Sequence, residues 1–131
     1  MGSFSDYAEL KILGHAVGKT SWTMPTVYLG LSTADPTDSG VGLAEPSGNG
    51  YARVATSGAT WNTPSEGAVD NAAEIAFPQA TGSWGTITHF ALFDAASGGN
   101  MIAHGALTVA KSVSSGDTVK VAAGDLDITQ D

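Results

Sequence analysis

An all-β sandwich with one helix at its N-terminal end is the fold this sequence predicts, and three observations predict it. From Pro25 onward apolar and polar residues alternate with a period of two, as in TVYLGLST (26–33) and GTITHFALF (85–93). These short runs are separated by turns, in a chain that carries 17 glycines. Helical spacing occurs only in the first segment, SFSDYAELKILGHAVG. The expected architecture is one domain over residues 1–131: a helix over about 4–18, then a single β-sandwich of about seven or eight short strands over about 26–129, with the jelly roll as one form of it.

The helix is justified residue by residue. Ser3 or Ser5 can cap its start, and Asp6 suits the positive end of the helix dipole. Tyr7, Leu10, Leu13 and Val17 recur at helical spacing and form one apolar face. Gly18 is a natural stop, and Lys19 beyond it suits the negative end. In the first strand, 26–33, Val27, Leu29 and Leu31 share a face and Tyr28 takes the other. The segment 34–50 contains Pro36, Pro46 and four glycines, so it is expected to lack regular structure. Loops of that length often carry contacts.

Further strands are expected at 51–57 and 71–80, with 59–62 continuing the first of these or starting another, and 63–70 as a loop. Residues 85–108 give the strongest β signal, two strands around a turn at 95–100. In the first of the two, Ile87, His89, Ala91 and Phe93 alternate with Thr86, Thr88, Phe90 and Leu92. Apolar residues on both faces place that strand centrally in a two-layer structure. A turn at 114–117 and two last strands complete the chain.

Composition narrows the function. Thirteen acids against five basic residues give a net charge of −8, which disfavours nucleic acid as a partner, because phosphate binding needs a basic patch. No apolar run approaches the roughly 18 residues of a membrane span, and the acidic start does not read as a signal peptide. There are no cysteines, hence no disulfides and no thiolate metal sites. Charged residues are 14% of the chain, against about 25% in ordinary soluble proteins. So flat a composition, rich in small residues, is common in extracellular and virion β-proteins and points away from a typical cytosolic enzyme.

Several motifs invite a chemical reading. GHAVGKT (14–20) ends like a P-loop, but Gly14 and Gly18 have three residues between them where the motif needs four. It also closes a helix instead of opening one, so a helix stop is the preferred reading. His15, His89 and His104 lack metal-ligand spacing; His89 and His104 can face each other across the hairpin, yet structural histidines are the better reading. No G-x-S-x-G elbow is present, Ser112, Ser114 and Ser115 belong to a turn, and nothing specifies a catalytic pair among Glu45, Glu66 and Glu74. Asp35 and Asp38 could hold Ca²⁺, but DPTDSG lacks the EF-hand pattern and is ordinary turn chemistry. Trp22, Trp61 and Trp84 are read as core or interface anchors before sugar platforms.

The wording of longer segments goes further. FSDYAELKILGHAVGKTSWTMPTVYLGLSTADPTD, YLGLSTADPTDSGVGLAEPSGNGYARVA (28–55), FPQATGSWGTITHFALFDAASGGNMIAHGALT (77–108) and VSSGDTVKVAAGDLDIT resemble a family of small tailed-bacteriophage virion structural proteins, often labelled phage tail fibre protein. The resemblance spans nearly the whole chain and implies a non-enzymatic structural protein of the virion, assembled in the bacterial host cytoplasm.

A fibre shaft needs heptads or repeats, and this chain has neither. The expected role is therefore capsid decoration: a cement protein bridging neighbouring major capsid proteins. The alternative is a tail fibre or tail-tip component, acting as an adaptor or binding host glycan through Trp61 or Trp84. Expected partners are the major capsid protein or tail proteins, and further copies of the chain as a dimer or trimer; no nucleic acid, membrane, metal or cofactor is expected. The expected contact residues are Tyr7, Leu10 and Trp22 near the helix, Asp35, Asp38, Leu43 and Glu45 in the long loop, and Trp61 and Trp84. If that loop is an arm, deleting 34–50 should abolish incorporation and leave the fold intact.

Overall fold

A computed structural model describes residues 2–23 and 25–130. It holds nine strands among those residues: β1 (Gly2–Phe4), β2 (Tyr28–Ser32), β3 (Val54–Ala55), β4 (Ala68–Asp70), β5 (Ile75–Ala76), β6 (Gly85–Phe93), β7 (Met101–Val113), β8 (Lys120–Val121) and β9 (Asp127–Thr129). One helix, α1 (Asp6–Ala16), follows β1. The strands make a curled seven-stranded sheet, in the order β3-β2-β6-β7-β1-β9-β4, and a small sheet of β5 and β8. All pairs are antiparallel except β1 with β9. The all-β, sandwich-like class with one short helix is therefore what forms, with two unequal layers.

The main core fills one side of the curled sheet. Leu29 and Leu31 of β2, Ile87, Phe90 and Leu92 of β6, Ile102 of β7, and Phe77, Trp84, Leu126 and Ile128 are buried there. Each such large side chain contributes about 1.5–3 kcal/mol over leaving it in water. A smaller cluster lies on the other face, where Ala91, Phe93 and Met101 pack with Tyr28 and Leu43. Thus β6, paired on both sides, buries both of its faces, as its two-sided apolar pattern anticipates.

Several elements depart from expectation, each for a local reason. Ile87 does not share a face with Ala91 and Phe93; it joins Phe90 and Leu92. The register jumps between Ile87↔Lys111 and His89↔Ala106, leaving four residues of β7 (107–110) opposite Thr88, and at this irregularity the inward set of β6 changes parity. The strand expected at 51–57 contracts to Val54–Ala55, because Tyr51 and Arg53 turn to bonds with Glu45. The segment 59–62 is no strand: a 3₁₀ turn (Gly58–Thr60) is followed by a single bridge from Trp61 to Asn71. Residues 68–70, expected in a loop, form β4 against β9. Gly2–Phe4, expected at or before the helix start, forms β1 between β7 and β9.

The helix begins at Ser5, whose Oγ accepts from the Ala8 N–H at 3.2 Å. It ends at Gly18 (φ 73°), a left-handed stop that glycine adopts without strain. The N–H groups of Lys19 and Thr20 donate back to the Gly14 carbonyl at 2.9 and 3.1 Å, so in GHAVGKT they are turned to the helix end and away from any phosphate. The sheet contact of α1 is made by Ala8, fully buried, while Leu10, Leu13 and Val17 are 63–78% exposed. The apolar face read from the sequence exists, and it faces solvent.

Candidate functional site: the clasped loop and the apolar groove

The loop 34–50 is fastened at several points to the sheet face that carries Ala91, Phe93 and Met101. Asp35 Oδ1 accepts from the Thr37 N–H at 2.9 Å, the expected turn chemistry. Pro36 is fully buried, and a Cβ on Gly42 would run into the Asp35 carbonyl. Ser32 Oγ accepts from Ala44 N–H at 3.0 Å, and the Thr33 N–H donates to the Ala44 carbonyl at 3.0 Å. The Asp38 carbonyl accepts from the Asp6 N–H at 3.0 Å, which ties the loop to the first turn of α1.

The strongest tie is Glu45. Arg53 Nε donates to its Oε2 at 2.9 Å and Arg53 Nη2 to its Oε1 at 2.6 Å, a two-pronged pair with the Arg53 side chain only 5% exposed. Arg53 Nη1 donates to the carbonyls of Ala95 (2.8 Å) and Gly98 (2.9 Å), and the guanidinium lies 3.4 Å from the centre of the Phe93 ring. One arginine thus joins the loop, β3 and the β6–β7 turn.

Tyr51 completes this group. Its hydroxyl donates to Glu45 Oε2 at 2.6 Å and accepts from the Leu31 N–H at 3.0 Å. Burial pushes its pKa well above 10, and the Glu45 hydrogen bond adds to that; the Leu31 N–H and Arg53 oppose it. The neutral phenol is therefore the form the fold stabilises. With the folded value raised above the unfolded one, this stabilisation is complete below about pH 10 and is lost as pH rises through the folded value. Urea unfolding in the alkaline range should show stability falling above about pH 10. Tyr51→Phe should flatten that part of the fall and lower stability at neutral pH by about 1–3 kcal/mol. An unchanged alkaline slope in the variant would count against this assignment.

His104 Nε2 lies 2.8 Å from Asp38 Oδ1, and Asp35 Oδ1 lies 3.8 Å from His104 Nδ1 and 4.0 Å from His89 Nε2. The two histidines are diagonal neighbours on the hairpin, since His89 pairs with Ala106 and His104 with Ala91. Among the described residues, no group of three His, Asp or Glu is arranged to hold a metal ion. These side chains act here as further fastenings of the loop.

The side that carries the main core opens at a groove. Residues 56–62 cross from the β3 edge to the β4 edge: the Thr56 N–H donates to the Val27 carbonyl at 2.8 Å and the Asn62 N–H to the Asp70 carbonyl at 2.9 Å. Beneath this crossing lies an apolar cavity of about 490 Å³, walled by Phe4, Val27, Trp61, Leu92, Ile102 and Ile128. Its rim polar groups are engaged internally. Trp61 Nε1 donates to Thr56 Oγ1 at 3.1 Å, and Asn62 Nδ2 to Asp70 Oδ1 at 2.8 Å.

The expected contact residues therefore fall in separate places. Leu10 lies on the outer face of α1, and half-buried Trp22 stands edge-on to Tyr7, 6.4 Å between ring centres. Asp35, Asp38, Leu43 and Glu45 share the clasped loop, with Glu45 and Leu43 turned inward. Trp61 lines the groove. Trp84 is buried at 4% exposure and donates to the Asn49 carbonyl at 2.8 Å, so it offers no ring face to a sugar. The loop is not a free arm, and deleting 34–50 would remove Pro36, Leu43 and Glu45 from the packed structure. Arg53 was not anticipated. Its signal was available: one of five basic residues, set in the small-residue strand YARVATS.

The conspicuous polar side chains of this β-rich protein fasten its own loops to its own sheet. The family model described as Podophage GP4 fiber I protein gp80 matches residues 3–129, and the chain belongs to that family of phage fibre proteins. Its role is accordingly structural, within the virion. No curated protein matches the chain.

Proposed function

We propose that this chain is a non-enzymatic component of the phage fibre apparatus, serving as a compact adaptor attached to other virion proteins. The observation that carries this is the fibre-family match over 3–129, nearly the whole chain. The clasped loop supports it. Glu45, Arg53 and Tyr51 are bonded to one another and to backbone, and Asp38 lies within hydrogen-bond distance of His104 Nε2, an arrangement that holds the loop to the sheet as a rigid body. Partners are other tail proteins and further copies of the chain.

Capsid decoration is the second reading, favoured by the absence of heptads and repeats in so short a sequence. Immunogold electron microscopy of intact virions with an antibody against this chain separates the two. Gold confined to fibres or tail is the expected result; gold spread over the head would replace the adaptor with a cement protein. Host glycan binding, if present, falls to Trp61, and its rim polar atoms are already engaged within the fold.

A further inference from the structure

His104 of β7 sits between two carboxylates of the clasped loop, and its two ring nitrogens are served differently. Nε2 lies 2.8 Å from Asp38 Oδ1. An ionised carboxylate can only accept, so Nε2 carries the proton of the neutral ring and Nδ1 carries a lone pair. That Nδ1 is buried and has no hydrogen-bond partner among the described residues. Asp35 Oδ1 stands 3.8 Å from it. In the neutral ring a lone pair therefore meets an anionic oxygen across a gap too wide for a hydrogen bond. A buried polar atom in that condition is costly. A proton on Nδ1 turns the repulsion into attraction. Asp35 Oδ1 already accepts from the Thr37 N–H at 2.9 Å and has capacity for a second donor. The Asp35 side chain is 61% exposed, so little packing opposes the small movement that closes the gap.

We propose that His104 is a proton-operated clasp for the start of the loop. In its imidazolium form it donates to Asp38 and Asp35 together and holds residues 35–38 on β7. The Asp38 carbonyl accepts from the Asp6 N–H at 3.0 Å, so the first turn of α1 is held with them. The surroundings favour the charged ring. The loop brings Asp35 and Asp38, and α1 brings Asp6 beside Asp38. From β6 comes His89, whose Nε2 lies 4.0 Å from Asp35 Oδ1 and whose Nδ1 lies 2.8 Å from Thr88 Oγ1. Among the described residues His104 alone reaches both carboxylates, so a charged His89 competes for Asp35 and not for Asp38. Strands β1 and β9 border the hollow beside the two rings with Gly2, Ser3 and Thr129, none of which titrates. The net charge of −8 acts in the same direction. A ring that binds its proton more readily folded than unfolded adds stability at low pH. That stability is lost as pH rises through the histidine range, about 5–8.

The test uses the full chain at the two ends of that range, about pH 8 and about pH 5. Nitrogen NMR follows the His104 ring, and hydrogen exchange, corrected for the intrinsic effect of pH, follows the Asp6 amide. On acidification Nδ1 should gain a proton while Nε2 keeps its own. Protection at Asp6 should rise about fivefold, the worth of two unit charges about 4 Å apart in water-like surroundings. His104→Gln keeps a donor for Asp38 and never charges, so its protection should be the same at both pH values. Asp35→Asn removes the second carboxylate at an exposed side chain and should shrink the rise. Circular dichroism checks that both variants fold. Equal protection at the two pH values in the unmodified chain overturns the proposal, and so does an Nδ1 that stays unprotonated. A rise that His104→Gln retains in full overturns it as well and assigns the effect to His89 or to the loop's own carboxylates. If His104→Gln does not fold, Asp35→Asn decides: a rise as large as in the unmodified chain overturns the clasp.

Discussion

Arg53→Ala should lower stability by about 3–5 kcal/mol, the cost of breaking a buried ion pair and stranding one charge. The Arg53 side chain is 5% exposed and that of Glu45 20%, so solvent screens little of the pair. The substitution also strands the Ala95 and Gly98 carbonyls and uncovers the Phe93 ring. Arg53→Lys should recover only a minor part, since an ammonium cannot reproduce the two-pronged contact and the two carbonyl bonds together. Urea unfolding monitored by tryptophan fluorescence measures both. Removing Glu45 as well, in an Arg53→Ala/Glu45→Ala chain, should cost less than the sum of the single changes, because no charge is left stranded. A loss under about 1 kcal/mol for Arg53→Ala would mean that the pair behaves as a surface one.

Trp84→Ala should cost a similar amount, about 3–5 kcal/mol, by opening a cavity in the main core. Its ring is edge-on to Tyr51 at 5.3 Å and to Phe77 at 6.5 Å. Trp84→Phe separates packing from hydrogen bonding. It keeps an aromatic ring but takes the indole donor from the Asn49 carbonyl, which retains the Thr81 N–H, for about 0.5–1.5 kcal/mol. Asn49 sits in a left-handed conformation, φ 52°, at the end of the long loop, so the loss should appear first there. Hydrogen exchange at the Thr81 amide, which donates to the Asn49 carbonyl at 2.9 Å, reads that site directly. Unchanged protection in Trp84→Phe would show that the indole bond does not hold the loop.

Much of the fold was legible because it rests on local rules. The cap at Ser5, the stop at Gly18, the alternation of β2 and the hairpin of β6 and β7 are all written within a few residues. What was hidden depends on partners distant in sequence. Three residues, Gly2–Phe4, carry no periodicity of their own and become a strand only because β7 and β9 flank them. The parity change in β6 coincides with a register shift against β7 between Ile87 and His89, which alternation alone does not reveal. Asn71 looks like any loop asparagine. It is fully buried, donating to the Ala73 and Ala122 carbonyls and accepting from the Leu126 N–H. The loop 34–50 was legible as irregular but not as fastened, because its fastener, Arg53, lies outside it.

The parallel pairing of β1 with β9 has a mechanical consequence. Gly2 lies opposite Ile128 and Ser3 opposite Thr129, the two strands running the same way. A pull that separates Gly2 from Thr129 drags these strands lengthwise past each other. The bonds across the seam then resist together, instead of opening one by one as in a hairpin peeled from its free end. On its other side β1 is bonded to β7, the longest strand of the sheet, so the strain spreads into the body of the fold. Under force, survival is set by the rate of rupture and not by equilibrium stability. The seam acts as a latch against tension, a property suited to a part built into a particle that must withstand collision with a cell.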